Sequence, residues 1–185
     1  MGWFNPIKGH YLTLGQIDKT LSVNASATGI VRGSLIYEDS GTWKLATATQ
    51  ATDATAYLYF ALQPQTGLTA GMAGSIGQGV SQVWNGSSMT TATAKVTGLA
   101  IGQPFDFETQ EFDITQSYSD GDLLTVGANG RITKHTTGKN CIGQVIDGVS
   151  NRWVNDATAI TGYKTGATVS ILKARTLWLP LLATS

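Results

Sequence analysis

The 185-residue sequence holds one cysteine, two histidines and four prolines, and only 13% of its residues are charged. A single cysteine, Cys141, excludes an internal disulfide, and two histidines exclude a histidine-based metal cluster. Charge is about half the usual share, and Lys+Arg 12 balances Asp+Glu 12. That balance gives no electrostatic reason to expect nucleic acid or an anionic membrane as a partner. No apolar run approaches the roughly 20 residues that cross a bilayer; the longest terminal one is Leu177-Trp-Leu-Pro-Leu-Leu182. Pro6, Lys8 and Gly9 interrupt the N-terminus before a signal-peptide core could form, so no leader is expected. Apolar content is nevertheless ordinary at 42%, and a chain of this length can bury about 70% of its unfolded surface. The missing charge is replaced by Thr, Ser and Gly, which suits a packed, β-rich domain rather than disorder.

Helical spacing occurs over one long stretch, Leu68, Met72, Ile76 and Val80, and that stretch is interrupted by Gly67, Gly71, Gly74, Gly77 and Gly79. Each interior glycine costs a helix about 1 kcal/mol relative to alanine, so the stretch reads as a Gly-rich loop or a partner-contacting arm. Elsewhere, short β-branched and aromatic runs alternate with turn dipeptides, the pattern of an all-β barrel or sandwich. The expected strands are Tyr11–Leu14, Ile30–Tyr37, Thr42–Ala46, Ala56–Leu62, Lys95–Leu99, Leu123–Val126, Arg131–His135, Cys141–Ile146 and Ala167–Arg175. Asn129-Gly130 supplies two residues tolerant of positive φ and predicts a tight hairpin between Leu123–Val126 and the strand after it. A domain scheme follows, with an N-terminal arm and first strand over residues 1–20 and a β-rich domain over 21–185.

The segment Val31–Leu62 parallels Ser119–Val149. Each has a turn glycine (Gly33, Gly121), two aliphatics two residues later (Leu35-Ile36, Leu123-Leu124), a hairpin glycine (Gly41, Gly130), a Thr-rich arm and an apolar strand. Either any two hairpins share this pattern, or two related β-units pack together.

Chemistry is sparse. The Gly-rich segment lacks the Lys-Ser or Lys-Thr of a phosphate loop. Asp106, Glu108, Glu111 and Asp113 are the one place where carboxylates could cooperate, as a glycosidase pair or as calcium ligands. Phe105 and Phe107 alternate with Asp106 and Glu108, however, so the carboxylates read as the solvent face of a half-exposed strand. No Gly-x-Ser-x-Gly elbow accompanies His10 or His135, and Cys141 reads as a small core residue. No catalytic, cofactor-binding or metal-binding residue is therefore expected. Large apolar side chains instead concentrate at the ends: Trp3, Phe4, Ile7 and Tyr11, and Leu177, Trp178, Leu179, Leu181 and Leu182. Either they fold onto the chain's own core or they form an interface with another subunit, the reading that low charge favours.

The segment running from Gly121-Asp-Leu-Leu through Ala-Asn-Gly130 and Lys-His-Thr-Thr-Gly138 to Cys-Ile-Gly-Gln-Val-Ile-Asp147 resembles the capsid decoration, or cement, proteins of tailed bacteriophages. Gly166-Ala-Thr-Val-Ser-Ile-Leu172 is similar to their closing strand, and Val31–Leu62 carries a fainter echo. The resemblance implies a β-barrel, β-tulip or sandwich, usually a homotrimer; the length, the Gly-rich insert and the extended apolar termini depart from small decoration domains. It implies residence on the virion exterior after synthesis in the host cytoplasm. It also implies the major capsid protein as partner, with neighbouring capsid subunits clamped together and no catalytic step. The alternative is a tail or fibre module that recognises a host glycan through exposed aromatics such as Trp43, Trp84 or Trp153, and a third class is a β-rich hydrolase built on Asp106–Asp113.

Overall fold

The computed structural model describes residues 4–9, 18–27, 29–62, 65, 82–84, 89–91, 95–102, 104–155 and 166–182. The fold is all-β. Strands β1 (Phe4–Gly9), β2 (Asp18–Val23), β3 (Leu35–Asp39), β4 (Thr42–Leu45) and β5 (Leu58–Ala61) are followed by a small hairpin, β6 (Gln82–Trp84) and β7 (Met89–Thr91). Then come β8 (Lys95–Ala100), β9 (Phe105–Thr109), β10 (Leu123–Val126), β11 (Ile132–Lys134), β12 (Lys139–Asn155) and β13 (Gly166–Leu182). One short helix, α1 (Ala48–Thr52), interrupts them. The expected strand at Tyr11–Leu14 and the Gly67–Gly79 segment lie outside the described residues. Ile30–Val31 is turn rather than strand, because Gly33 takes φ +92° and reverses the chain just before β3. A boundary at residue 20 falls inside β2, and β1 belongs to a sheet of the second half of the chain.

Strands β2-β4-β3-β5-β8 close into a five-stranded barrel. The remaining long strands form a sheet in the order β1-β9-β13-β12-β10-β11, and a parallel bridge between Phe112 and Ile132 joins the segment after β9 to β11. Around this ring, β9, β11, β10, β12 and β13 occupy the places of β2, β4, β3, β5 and β8. The likeness of Val31–Leu62 to Ser119–Val149 is thus structural, and it extends to single hydrogen bonds. Gly33 N donates to Ala61 O at 2.7 Å and Ala61 N to Ser34 O at 2.9 Å; Gly121 N donates to Val145 O and Val145 N to Asp122 O, both at 2.9 Å. Ser34 Oγ accepts from Val31 N as Asp122 Oδ2 accepts from Ser119 N. Asn24 N donates to Trp43 O and Asp113 N to Ile132 O, while the side chains of Asn24 and Asp113 each accept an amide two residues on, from Ser26 and Thr115. Both hairpins turn through a left-handed pair, Ser40-Gly41 (φ 50°, 76°) and Asn129-Gly130 (φ 55°, 68°). The second unit, a sheet that the Phe112–Ile132 bridge draws round into a second barrel-like ring, thus follows the strand order and turn bonding of the closed first barrel.

Packing of the barrels explains the four-residue apolar run of β5. Tyr59 and Ala61 face the first barrel's interior with Ile36, Trp43, Val96 and Ala100, while Leu58 and Phe60 join the core that continues into the second barrel. A strand buried on both faces loses the alternation of a half-exposed one. Trp43 fills the first barrel because Gly98 leaves room; a Cβ at Gly98 would stand 2.9 Å from the indole. Gly130 is constrained as tightly, since a Cβ there would lie 2.6 Å from Leu35 O, and its own N–H bonds Ala46 O at 2.8 Å across the barrel boundary. Helix α1 is a second clasp. Thr47 and Gln50 form its capping box, and Asn140 Nδ2 of β12 donates to its Gln50 and Asp53 carbonyls at 3.0 and 2.7 Å.

Candidate docking surfaces

The acidic cluster is structural. Asp106 receives Arg175 Nε at 2.6 Å and Nη2 at 3.2 Å, a bidentate pair between adjacent strands β9 and β13. Glu108 is 6% exposed, which corrects its assignment to solvent: β9 is an interior strand, and Asn5 of β1 and Lys173 of β13 flank Glu108 on either side. Glu111 is also largely enclosed, and burial pushes its carboxyl above the usual range against the pull of Arg131. Asp113 accepts the Thr115 hydroxyl at 2.7 Å and its amide at 3.0 Å, and these bonds hold its carboxyl below the ordinary value. Each carboxylate is thus occupied by a fold contact or buried by one. A shallow cavity of about 240 Å³ lies beside Asp113, Asn129, Arg131 and Thr133. Burial pushes Tyr118 up to about 12, and its hydroxyl donates to Asp113 O at 3.1 Å. Burial also raises the Cys141 thiol, whose Sγ contacts Gly143 O, in keeping with a core role. His135 Nε2 meets Lys139 O at 2.9 Å; His10 lies outside the described residues. Among the described residues no group of three or more His, Cys, Asp and Glu could hold a metal, and no helix is long and apolar enough to cross a membrane.

The apolar ends separate. Phe4 is 0% exposed: it stacks on Phe60 at 4.7 Å and meets Phe107 at 5.8 Å, so it belongs to the chain's own core and not to an external interface. Pro6 sits opposite Phe107 in β1, an edge strand, where its missing N–H is tolerated. Ile7 lies in the same strand, while Trp3 and Tyr11 lie outside the described residues. At the other end the chain does not trail away. Leu177, Trp178, Leu179, Leu181 and Leu182 continue β13 along β12, with Leu179 opposite Cys141 and Leu182 opposite Lys139. Leu177 and Trp178 are half-buried, and Trp178 packs on the main core. The sequence missed this because Pro180 and the chain end resemble a strand terminus.

Trp43 is 0% exposed and donates its indole N–H to Val96 O at 2.7 Å, which removes it from any set of exposed glycan-stacking aromatics. Trp84 and Trp153 are placed by backbone alone, in β6 and β12. What the fold offers to a partner is therefore ribbon. Beyond a bulge at Gly148, whose N–H bonds Asp120 Oδ1 at 3.0 Å, β12 and β13 continue from Val149↔Leu172 to Asn155↔Gly166; Leu172 still pairs with Thr109 of β9, Ile171 is buried, and past Leu172 the two strands pair only with each other among the described residues. Val149 is 42% exposed at its base, and Ser150, Asn151 and Ser170 are exposed beyond it. The β6–β7 hairpin is likewise a separate two-stranded sheet. No protein-family model, curated protein or solved structure matches this chain significantly.

Proposed function

We propose that this chain is a structural virion protein that binds the outer surface of an icosahedral phage head and clamps neighbouring major capsid subunits. The observation that carries this reading is the fold of the segment on which the resemblance rests. Gly121–Asp147 forms β10, β11 and the first part of β12, three contiguous strands of one barrel, and Val31–Leu62 builds the same three in the other. Such a protein works by binding rather than by turnover. It stabilises the assembled shell by mass action, because separating capsid subunits also breaks its contacts. The carboxylates tied into β9, β13 and the Asp113 turn fit a scaffold of this kind. A homotrimer is the assembly we propose, with the half-buried Leu177–Trp178 end of β13 at the subunit contact.

The test is direct. Purified protein added to heads that lack it should saturate at a fixed stoichiometry and raise their heat resistance, and sedimentation of the free protein should give three times the chain mass. A protein that leaves heads bare sinks the reading. The second reading, a glycan-binding tail or fibre module, now rests on Trp84 and Trp153. It predicts a scarce virion band and glycan binding in place of an abundant band.

A further inference from the structure

The Asn129-Gly130 turn is pressed into the seam between the two units, and its counterpart in the first unit is not. Ser40-Gly41 holds the same left-handed pair, but a Cβ on Gly41 would meet nothing within 4 Å. Gly130 is buried and donates its N–H to Ala46 O at 2.8 Å. A Cβ there would stand 2.6 Å from Leu35 O and 2.8 Å from Leu45 Cδ2. Asn129 itself is exposed. An asparagine side chain and the amide nitrogen that follows it can react with each other, and glycine leaves that nitrogen least crowded. In this reaction the Gly130 nitrogen attacks Asn129 Cγ; the new N–Cγ bond forms, the Cγ–Nδ2 bond breaks, and the amide proton passes through water to the departing ammonia. One water is then consumed in opening the cyclic imide. Opening at Cγ gives aspartate on an ordinary backbone, and opening at the main-chain carbonyl gives isoaspartate, with an extra carbon in the main chain.

The docked units block this chemistry twice. At φ 55° and ψ 37° of Asn129 the Gly130 nitrogen lies almost opposite the Asn129 Cβ about the Cα–C bond, where the ring cannot close. Rotating ψ to bring the two together pulls the Gly130 N–H off Ala46 O and drives the turn against Leu35, so the first unit must first move away. We propose that Asn129-Gly130 is a gated modification site, closed while the two units are docked and converted to aspartate or isoaspartate only in molecules whose seam has opened. Conversion is one-way. The new carboxylate stands beside Asp113, with which Asn129 shares a cavity, and like charges oppose each other there. In isoaspartate the extra carbon also lengthens a turn whose fit against Leu35 O has no room for a methyl group, so the seam does not reclose on it.

The experiment uses the full chain carrying Asn85→Gln, which removes the other Asn-Gly pair, Asn85-Gly86. Samples are held in mildly alkaline buffer, in increasing urea below the unfolding transition, and in urea above it. Conversion at Asn129 is followed by peptide mass spectrometry with isoaspartate detection. Because only the open state reacts, the rate tracks its population. The native rate should be about 10²-fold or more below that of the unfolded chain. Phe4→Ala, which removes the ring packed on Phe60 and Phe107 at the seam, should raise the native rate about 10-fold or more. The urea dependence should be shallower than that of global unfolding, since parting the seam exposes only part of the buried surface. Native conversion as fast as in the unfolded chain overturns the gate. A urea slope equal to the global one, or no response to Phe4→Ala, shows that the seam is not what closes it. The isoaspartate product, returned to buffer, should have a lower urea midpoint than Asn129→Asp, which carries the same charge on an ordinary backbone; equal midpoints would overturn the failure to reclose.

Discussion

Truncating Phe4 to alanine tests whether the N-terminal strand is a clasp of the chain's own core. The ring is 0% exposed, stacks on Phe60 at 4.7 Å and touches Phe107 at 5.8 Å, while its backbone pairs with Thr109 of β9. A buried phenylalanine removes about 200 Å² from water, which at ~25 cal/mol per Å² is about 5 kcal/mol as an upper value, and the alanine methyl retains a fraction of it. The stacked pair adds about 1 kcal/mol, and the cavity left between two barrels cannot collapse fully because β5 and β9 are fixed by their own ladders. The expected cost is therefore about 4 kcal/mol. For a domain of this size that lowers the melting temperature by about 8–16 °C. Thermal unfolding followed by circular dichroism reads it, with Asn5→Ala as a control: Asn5 is exposed on the same strand and should stay within about 0.5 kcal/mol. A Phe4→Ala melt within about 2 °C of the wild type would show that β1 is a free arm, and the assignment of Phe4 to the inter-barrel core would be wrong.

Three further outcomes are expected. Gly130→Ala should destabilise by about 2 kcal/mol or more in urea titration, since the turn holds φ +68° and the new Cβ would meet Leu35 O at 2.6 Å. Trp43→Phe should cost about 2–4 kcal/mol, combining lost volume beside Gly98 with a Val96 carbonyl left without its indole donor; a change below about 0.5 kcal/mol would contradict that burial. The pH dependence has two opposing parts. Asp122, held low by Lys134 and the Ser119 amide, contributes stability present above the unfolded value of 3.8 and lost as pH falls through its lower folded value. Glu111, raised by burial, contributes stability present below its unfolded value of 4.5 and lost as pH rises through its folded value. Glu111→Gln should therefore raise the urea midpoint at pH 7 more than at pH 4.

The strand ladder was legible in the sequence where turn chemistry punctuates it. Leu123–Val126 matches its prediction residue for residue, and Asn129-Gly130 adopts the positive φ pair that its composition announces. What failed has physical causes. Glu108 looked solvent-facing because local alternation does not report its neighbours in the sheet, Asn5 of β1 and Lys173 of β13, which flank it from distant parts of the chain. Trp43 looked like a ligand platform because nothing local reveals Gly98 beneath its indole. Helix α1 carries a legible Thr47-x-x-Gln50 capping box, but at five residues its apolar periodicity is too short to register. β12 outran its predicted length because polar Ser150 and Asn151 continue the ladder without apolar alternation, and β13 outran its own at Thr176–Leu182, where Pro180 reads as a strand terminus. Glycine spacing drew attention to Val31–Leu62 and Ser119–Val149, but it carries no information on the backbone bonds that the two segments share.

The register also shows how the outer faces of the two units differ from the faces they share. Phe60 and Leu99 of the first barrel enter the core shared with the second. At the equivalent places the second barrel carries Gln144 and Arg175, paired to each other across β12 and β13 and both exposed. The converse face agrees. Phe107 and Val126 of the second barrel are buried in that core, and the matching residues of the first are Lys19 and Glu38, which form an ion pair at the barrel's outer end. Inward or rim charge of this sort blocks strand and face addition. Each end of the two-barrel unit therefore presents polar groups where an interior copy would present apolar ones, as terminal repeats do. Placing the apolar set on those outer faces should let copies of the unit stack. The variant Gln144→Phe/Arg175→Leu combined with Lys19→Phe/Glu38→Val is expected to associate head to tail, because a heterologous contact of this kind does not close on itself. Sedimentation velocity over a range of concentrations should show a growing ladder of species, while either half-set alone should retain the wild-type profile. A full variant that folds and sediments like the wild type would mean that the polar ends are not what keeps copies of this unit from stacking end to end.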